Sequence, residues 1–135
     1  DTTLPKLLRF DGNSAYWEGW ALYAETLGGE LGLFTDPYQR FGFLNDQMLR
    51  AMRLVVDTGL HVQGWTREAA LDYMLAHSAI GRAEAANEVD RYIVAPGQAC
   101  AYMVGALTIQ RLRAEAERRL GARFDIRAFH AQVVD

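Results

Sequence analysis

Phe41, Leu44, Met48, Met52 and Val55 recur at intervals of three and four directly after Asp36-Pro37-Tyr38-Gln39. That spacing gathers side chains on one face of an α-helix and scatters them over both faces of a strand. Asp36 suits the N-cap, Pro37 the first helical position and Gln39 the third, so a long helix is predicted from 37 to about 60. Gly59 and Gly64 bracket its end. The same local signals divide the rest of the chain. Asn13 or Ser14 caps a first helix running to about Leu33, weakened late by Gly28 and Gly29. Thr66 caps a helix from Arg67 to about Ser78, and Gly81 precedes another from Arg82 to Val94 that Pro96-Gly97 ends. A fifth runs from about Gln98 to Leu120, where Gly121 stops it. Asp125 caps a last one, Ile126 to Val133. No segment alternates as a strand does, and no repeat or low-complexity tract occurs. The expected class is all-α: about six helices in an antiparallel, bundle-like arrangement, joined by short connections.

The 135 residues suffice for one domain with its own core, and 50% of them are hydrophobic. Residues 1–12 read as an irregular N-terminal segment without signal-peptide character. The chain lacks an initiator Met and reads as a piece of something longer. A net charge of −3 and the lack of a basic run argue against nucleic acid as partner. No apolar run is long enough to cross a membrane. Cys100, the single cysteine, lies in an apolar stretch and reads as a buried, inert thiol.

The candidate chemistry begins in Tyr16-Trp17-Glu18-Gly19-Trp20-Ala21-Leu22-Tyr23-Ala24-Glu25. Seven residues are two helical turns, so Glu18 and Glu25 share a face of an aromatic helix. Burying a carboxylate there requires a partner: an arginine, water or a metal ion. By spacing alone, the plainer reading is that both are partly exposed, or that one pairs with an arginine. On the long helix, Asp46, Arg50, Arg53, Asp57 and His61 form a polar stripe opposite the apolar one, and a solvated face is its plainer reading. The stripe ends where His61 meets a loop, a setting in which histidines often serve function. Finally, the Pro96-Gly97 break lets Tyr92, Gln98 and Tyr102 converge beside Arg91. Tyrosine can donate to an oxyanion and arginine can hold a carboxylate, against the alternative of a core tyrosine and a surface arginine. His77, at a helix C-terminus, and His130 carry weaker signals. No His-Glu-x-x-His, nucleophile elbow or phosphate loop occurs.

Three segments in order resemble the C-terminal part of the bacterial proteins grouped as domain-of-unknown-function family 885. They are Tyr16–Glu25, Arg50–His61 with Gly64-Trp65, and Arg91-Tyr92 with Pro96-Gly97-Gln98-Ala99. Gly121–His130 matches that family's tail. The resemblance implies a portion of a larger, helical, gluzincin-like zinc metallopeptidase, exported, periplasmic or lipid-anchored. It implies Glu18 as a zinc ligand, supported by Glu25 and Asp57. It implies Arg91, Tyr92 and His61 in catalysis, with Tyr92 on the oxyanion, and Gln98 and Tyr102 on a peptide substrate. The family's His-Glu and Pro-Gly-His element, which would supply two histidine ligands and a general base, does not occur in this chain. One ligand cannot hold a catalytic zinc, so the chain alone is expected to bind none and to be inactive. It is also expected to expose an apolar face, through Trp17, Trp20 and Phe34, that self-association could cover. The alternative is a non-catalytic helical module binding a protein or peptide.

Overall fold

The computed structural model describes residues 12–134. The expected irregular segment thus lies outside the described residues, save Gly12. Six α-helices and one short 3₁₀ turn make up the described chain, and no strand is found in it. They are α1 (Ser14–Glu30), α2 (Pro37–His61), α3 (Arg67–His77), α4 (Arg82–Val94), α5 (Ala101–Leu120) and α6 (Ile126–Val134), with Gly121–Arg123 as the 3₁₀ turn.

The helix starts follow from the caps. Asn13 accepts from the N–H groups of Ala15 and Tyr16, Asp36 from Tyr38 and Gln39, Thr66 from Ala69, and Asp125 from Ala128. Each satisfies donors that a helix cannot pair internally. Helix α5 begins at Ala101 rather than Gln98, because the chain from Pro96 to Cys100 forms turns. Gly97 has φ +79 there, a conformation that a Cβ disfavours.

Two clusters of apolar side chains form the core. One joins α2, α3 and α4 through Leu49, Met52, Val56, Leu71, Met74, Val89 and Tyr92. The other joins α1 and α5 through Leu22, Tyr23, Ala106 and Ile109, with Phe129 and Val133 of α6 against it. Helices α1 and α5 lie in close contact and run the same way: Gly19 meets Gly105, and further along Arg113 reaches Tyr23 and Glu30. A Cβ on Gly105 would overlap the Ala15 carbonyl and stand 2.7 Å from Gly19 Cα, so glycine is required at this crossing. Helix α6 returns along α1, where Tyr16 donates to the Val133 carbonyl (2.7 Å) and Tyr23 meets His130 (2.8 Å).

Helix α2 buries Leu49, Met52 and Val56 together with two charged side chains, and leaves much of the predicted apolar stripe exposed. Arg53 and Asp57 of its polar stripe are 8% and 3% exposed. Of its apolar stripe only Met52 is buried, while Phe41, Leu44, Met48 and Val55 stand at 64%, 52%, 49% and 38%. The solvated-face reading of the polar stripe therefore fails at Arg53 and Asp57. The cause lies in the neighbours, since α4 and the turn before α5 supply partners for exactly those two side chains. The exposed apolar face is thus chiefly on α2. Trp17 is exposed, but Trp20 packs on the α1–α5 cluster and Phe34 lies half-buried against Phe43, ring centroids 5.2 Å apart.

Candidate functional site

Glu88 is the centre of a hydrogen-bonded knot between α2 and α4. Arg53 Nη2 donates to it at 2.8 Å, Arg91 Nη2 at 3.0 Å and Nε at 3.2 Å, and the Tyr92 hydroxyl at 2.7 Å. Positions 88, 91 and 92 stand three and four apart, hence on one helical face. Burial pushes the Glu88 carboxyl up, but the bonds from Arg91, Tyr92 and Arg53, with the charge of Arg53, outweigh it and hold the group at about 2. Burial and the bond to Glu88 push the Tyr92 phenol the other way, to about 12. Arg53 also donates from Nε to the Tyr92 hydroxyl (3.2 Å), and its guanidinium lies 4.6 Å from the centre of the Tyr102 ring.

The same knot fixes the turn before α5. Arg91 Nη1 donates to Gln98 Oε1 at 2.7 Å. Both Asp57 oxygens accept from the Gly97 N–H, at 3.0 and 3.1 Å. His61 Nε2 donates to the Tyr92 carbonyl at 2.9 Å. A carbonyl can only accept, so Nε2 carries a proton and Nδ1 is the nitrogen left available. Cys100 lies half-buried beside this turn, its thiol pushed up by burial and by the charge of Asp57, in keeping with an inert group.

His61, Asp57, Arg91, Tyr92, Gln98 and Tyr102 are therefore gathered in one region. Their contacts are mostly with one another. The Tyr92 hydroxyl is buried between Glu88 and Arg53, and reaching an oxyanion would require it to leave both. Sequence reasoning did not single out Glu88, although its place three and four residues before Arg91 and Tyr92 was a usable signal.

Glu18 stands apart from this knot. It is half-buried on α1 and makes no hydrogen bond or ion pair within the described residues, whereas the other buried or half-buried carboxylates there, Asp57, Glu88 and Glu115, each have partners. Glu25 is exposed and accepts from the Gln47 amide at 3.4 Å. Among the described residues, no three His, Cys, Asp or Glu side chains gather as a metal ion would need. The described residues thus do not make a zinc site by themselves, since a catalytic zinc takes three protein ligands. His77 stacks on Tyr73 at 4.2 Å, and His130 is bonded to Tyr23, so both serve packing. No described helix is long and apolar enough to cross a membrane.

The described residues thus form an all-α scaffold with a buried Arg–Glu–Tyr knot. The chain belongs to the family described as "Bacterial protein of unknown function (DUF885)", whose model matches residues 1–135. It is similar in structure to the "putative lipoprotein from Colwellia psychrerythraea", with TM-score 0.95 and 45% identity. That match covers 98% of this chain and 23% of the other, so the chain spans less than a quarter of that protein's length. Among curated proteins none matches.

Proposed function

We propose that this chain is the part of a zinc-dependent peptidase that supplies one metal ligand and the wall of the substrate cleft. The observation that carries the reading is Glu18, a half-buried carboxylate in the Glu-Gly-Trp segment that has no partner among the described residues. Such a carboxylate is available to a cation. When bound, zinc supplies a Lewis acid and activates water. The two histidine ligands and the general base would come from outside the described residues.

This chain's own groups then act as follows. Glu18 would hold the metal through a carboxylate oxygen. The Glu88 knot holds α2, α4 and the 96–100 turn in fixed relation, and so places His61, Gln98 and Tyr102 along one wall. Tyr92 supports that wall through its hydroxyl and its carbonyl. The resemblance assigns it the oxyanion, a role that would follow release from Glu88. Glu25 and Asp57 support neighbouring groups rather than touching the metal, Asp57 through the Gly97 N–H. The substrate is a peptide. An exported or lipid-anchored location is in keeping with the Colwellia protein's description. The test is Glu18→Gln in the complete protein: zinc content and peptide hydrolysis fall together.

A second reading, a helical binding module or self-associating domain, is favoured by the exposed stripe of α2.

A further inference from the structure

Tyr16, Trp20 and Tyr23 follow one another at four and three, and so line one side of α1. Glu18 and Glu25 lie on the opposite side. The last helix, α6, rests on the aromatic stripe. None of its residues is buried, and its backbone lies close along no other helix. Its attachments are side chains: Phe129 and Val133 on the α1–α5 cluster, the Tyr16 hydroxyl on the Val133 carbonyl, and His130.

His130 is the centre of that attachment. Its ring stands edge-on to Trp20, centroids 5.4 Å apart, and its Nε2 meets the Tyr23 hydroxyl at 2.8 Å. The direction of this bond follows from the partners. Tyr23 is 1% exposed, and its hydroxyl has one other partner among the described residues, Arg113 Nη1 at 3.4 Å. A guanidinium only donates, so the hydroxyl hydrogen has Nε2 as its acceptor. Nε2 is therefore bare, the ring is neutral, and its proton is on Nδ1.

We propose that α6 is a strap that this bond fastens and that a proton on His130 releases. An imidazolium carries hydrogen on both nitrogens. Tyr23 would then face two donors, Nε2–H and Arg113, and its own hydroxyl hydrogen would be buried without an acceptor. The charges around the ring oppose one another and leave the decision to that hydrogen. On α1, Glu30 attracts an imidazolium, but both its oxygens are already gripped by Arg113, at 2.6 and 2.9 Å. On α5, Arg113 repels it, and Glu117 is drawn to Arg113 Nε at 2.9 Å. On α6, Asp125 and Arg127 are exposed, one of each sign. The bond from Arg113 holds the Glu30 carboxyl below its ordinary range, so that pair stays intact where histidine titrates. Histidine ordinarily changes charge at roughly pH 6.5, so the strap is fastened at neutral pH and loosened in mild acid. Release bares Trp20 and Tyr23 and removes the Val133 wall of the groove between Tyr16, Val104 and Ile109.

The test is amide hydrogen exchange of the chain, read by NMR as protection factors at pH 7.5 and 5.5. In the wild type, protection of residues 129–133 should fall about tenfold in acid, while that of Leu22 and Ile109 on α1 and α5 holds. His130→Gln, whose side-chain oxygen accepts from Tyr23 and takes up no proton, should keep α6 protected at both pH values. Tyr23→Phe, which keeps the histidine and loses the hydrogen, should lose the pH response as well. His77→Gln should respond as the wild type does. Equal wild-type protection at the two pH values overturns the proposal, and so does a rise in acid, which would mean that Glu30 captures the imidazolium. A His130→Gln chain that keeps the wild-type response overturns it too. If His130→Gln leaves α6 unprotected throughout, Tyr23→Phe decides, and a full acid response there overturns the proposal.

Discussion

Glu88→Gln removes the negative charge on which Arg53 and Arg91 both close. Arg53 is 8% exposed, and stranding a buried cation by deleting its partner costs about 3–5 kcal/mol. Glutamine keeps one acceptor oxygen, and 19% of the Glu88 side chain is open to water. Both reduce the loss, to ~2 kcal/mol at pH 7. Acid titration gives an independent reading of the same group. Its folded carboxyl is held at about 2 against an ordinary value of 4.5, so the folded state binds fewer protons over that range. The stabilisation is complete above the unfolded value and is lost as pH falls from there through about 2. Taken in full the shift is worth ~3 kcal/mol, and solvent screening at this partly open site lowers it to ~1–2 kcal/mol. Urea unfolding followed by circular dichroism at pH 7, 5, 4 and 3 measures both. Between pH 5 and 3 the wild type should lose ~1 kcal/mol more than Glu88→Gln. A variant within ~0.5 kcal/mol of wild type at pH 7, or parallel pH profiles, would refute the claim that Glu88 organises the knot.

The helix crossing and the exposed stripe give two further expectations. Gly105→Ala should destabilise by ~2–4 kcal/mol, because the new methyl overlaps backbone of α1 that cannot move aside as a side chain could; thermal unfolding checks it, and an unchanged Tm would mean the crossing is looser than described. Leu44→Ser on α2 should reduce self-association in sedimentation and dye binding to exposed apolar surface, at a stability cost below ~1 kcal/mol, since Leu44 is half exposed; unchanged association would place the sticky face elsewhere.

The division of this chain into helices was legible because its signals are local. Asn13, Asp36, Thr66 and Asp125 each cap the helix they precede, and Gly97 and Gly121 take the positive φ at which α4 and α5 give way. The orientation of α2 was not legible. Periodicity defines two faces but does not say which one turns inward, and only the presence of Glu88, Tyr92 and the Gly97 N–H makes burial of Arg53 and Asp57 favourable. Convergence around Pro96-Gly97 could be read from the turn residues. That Tyr92 would spend its hydroxyl on Glu88 and Arg53 could not, because Arg53 arrives from a helix 39 positions earlier in sequence.

The central claim is that Glu18 is a metal ligand, and zinc content of the purified complete protein tests it most directly. Elemental analysis after dialysis should find about one zinc per wild-type chain and a small fraction of that in Glu18→Gln, with circular dichroism unchanged. Full zinc retention in Glu18→Gln, or a wild-type protein that binds none under zinc-replete conditions, would contradict it.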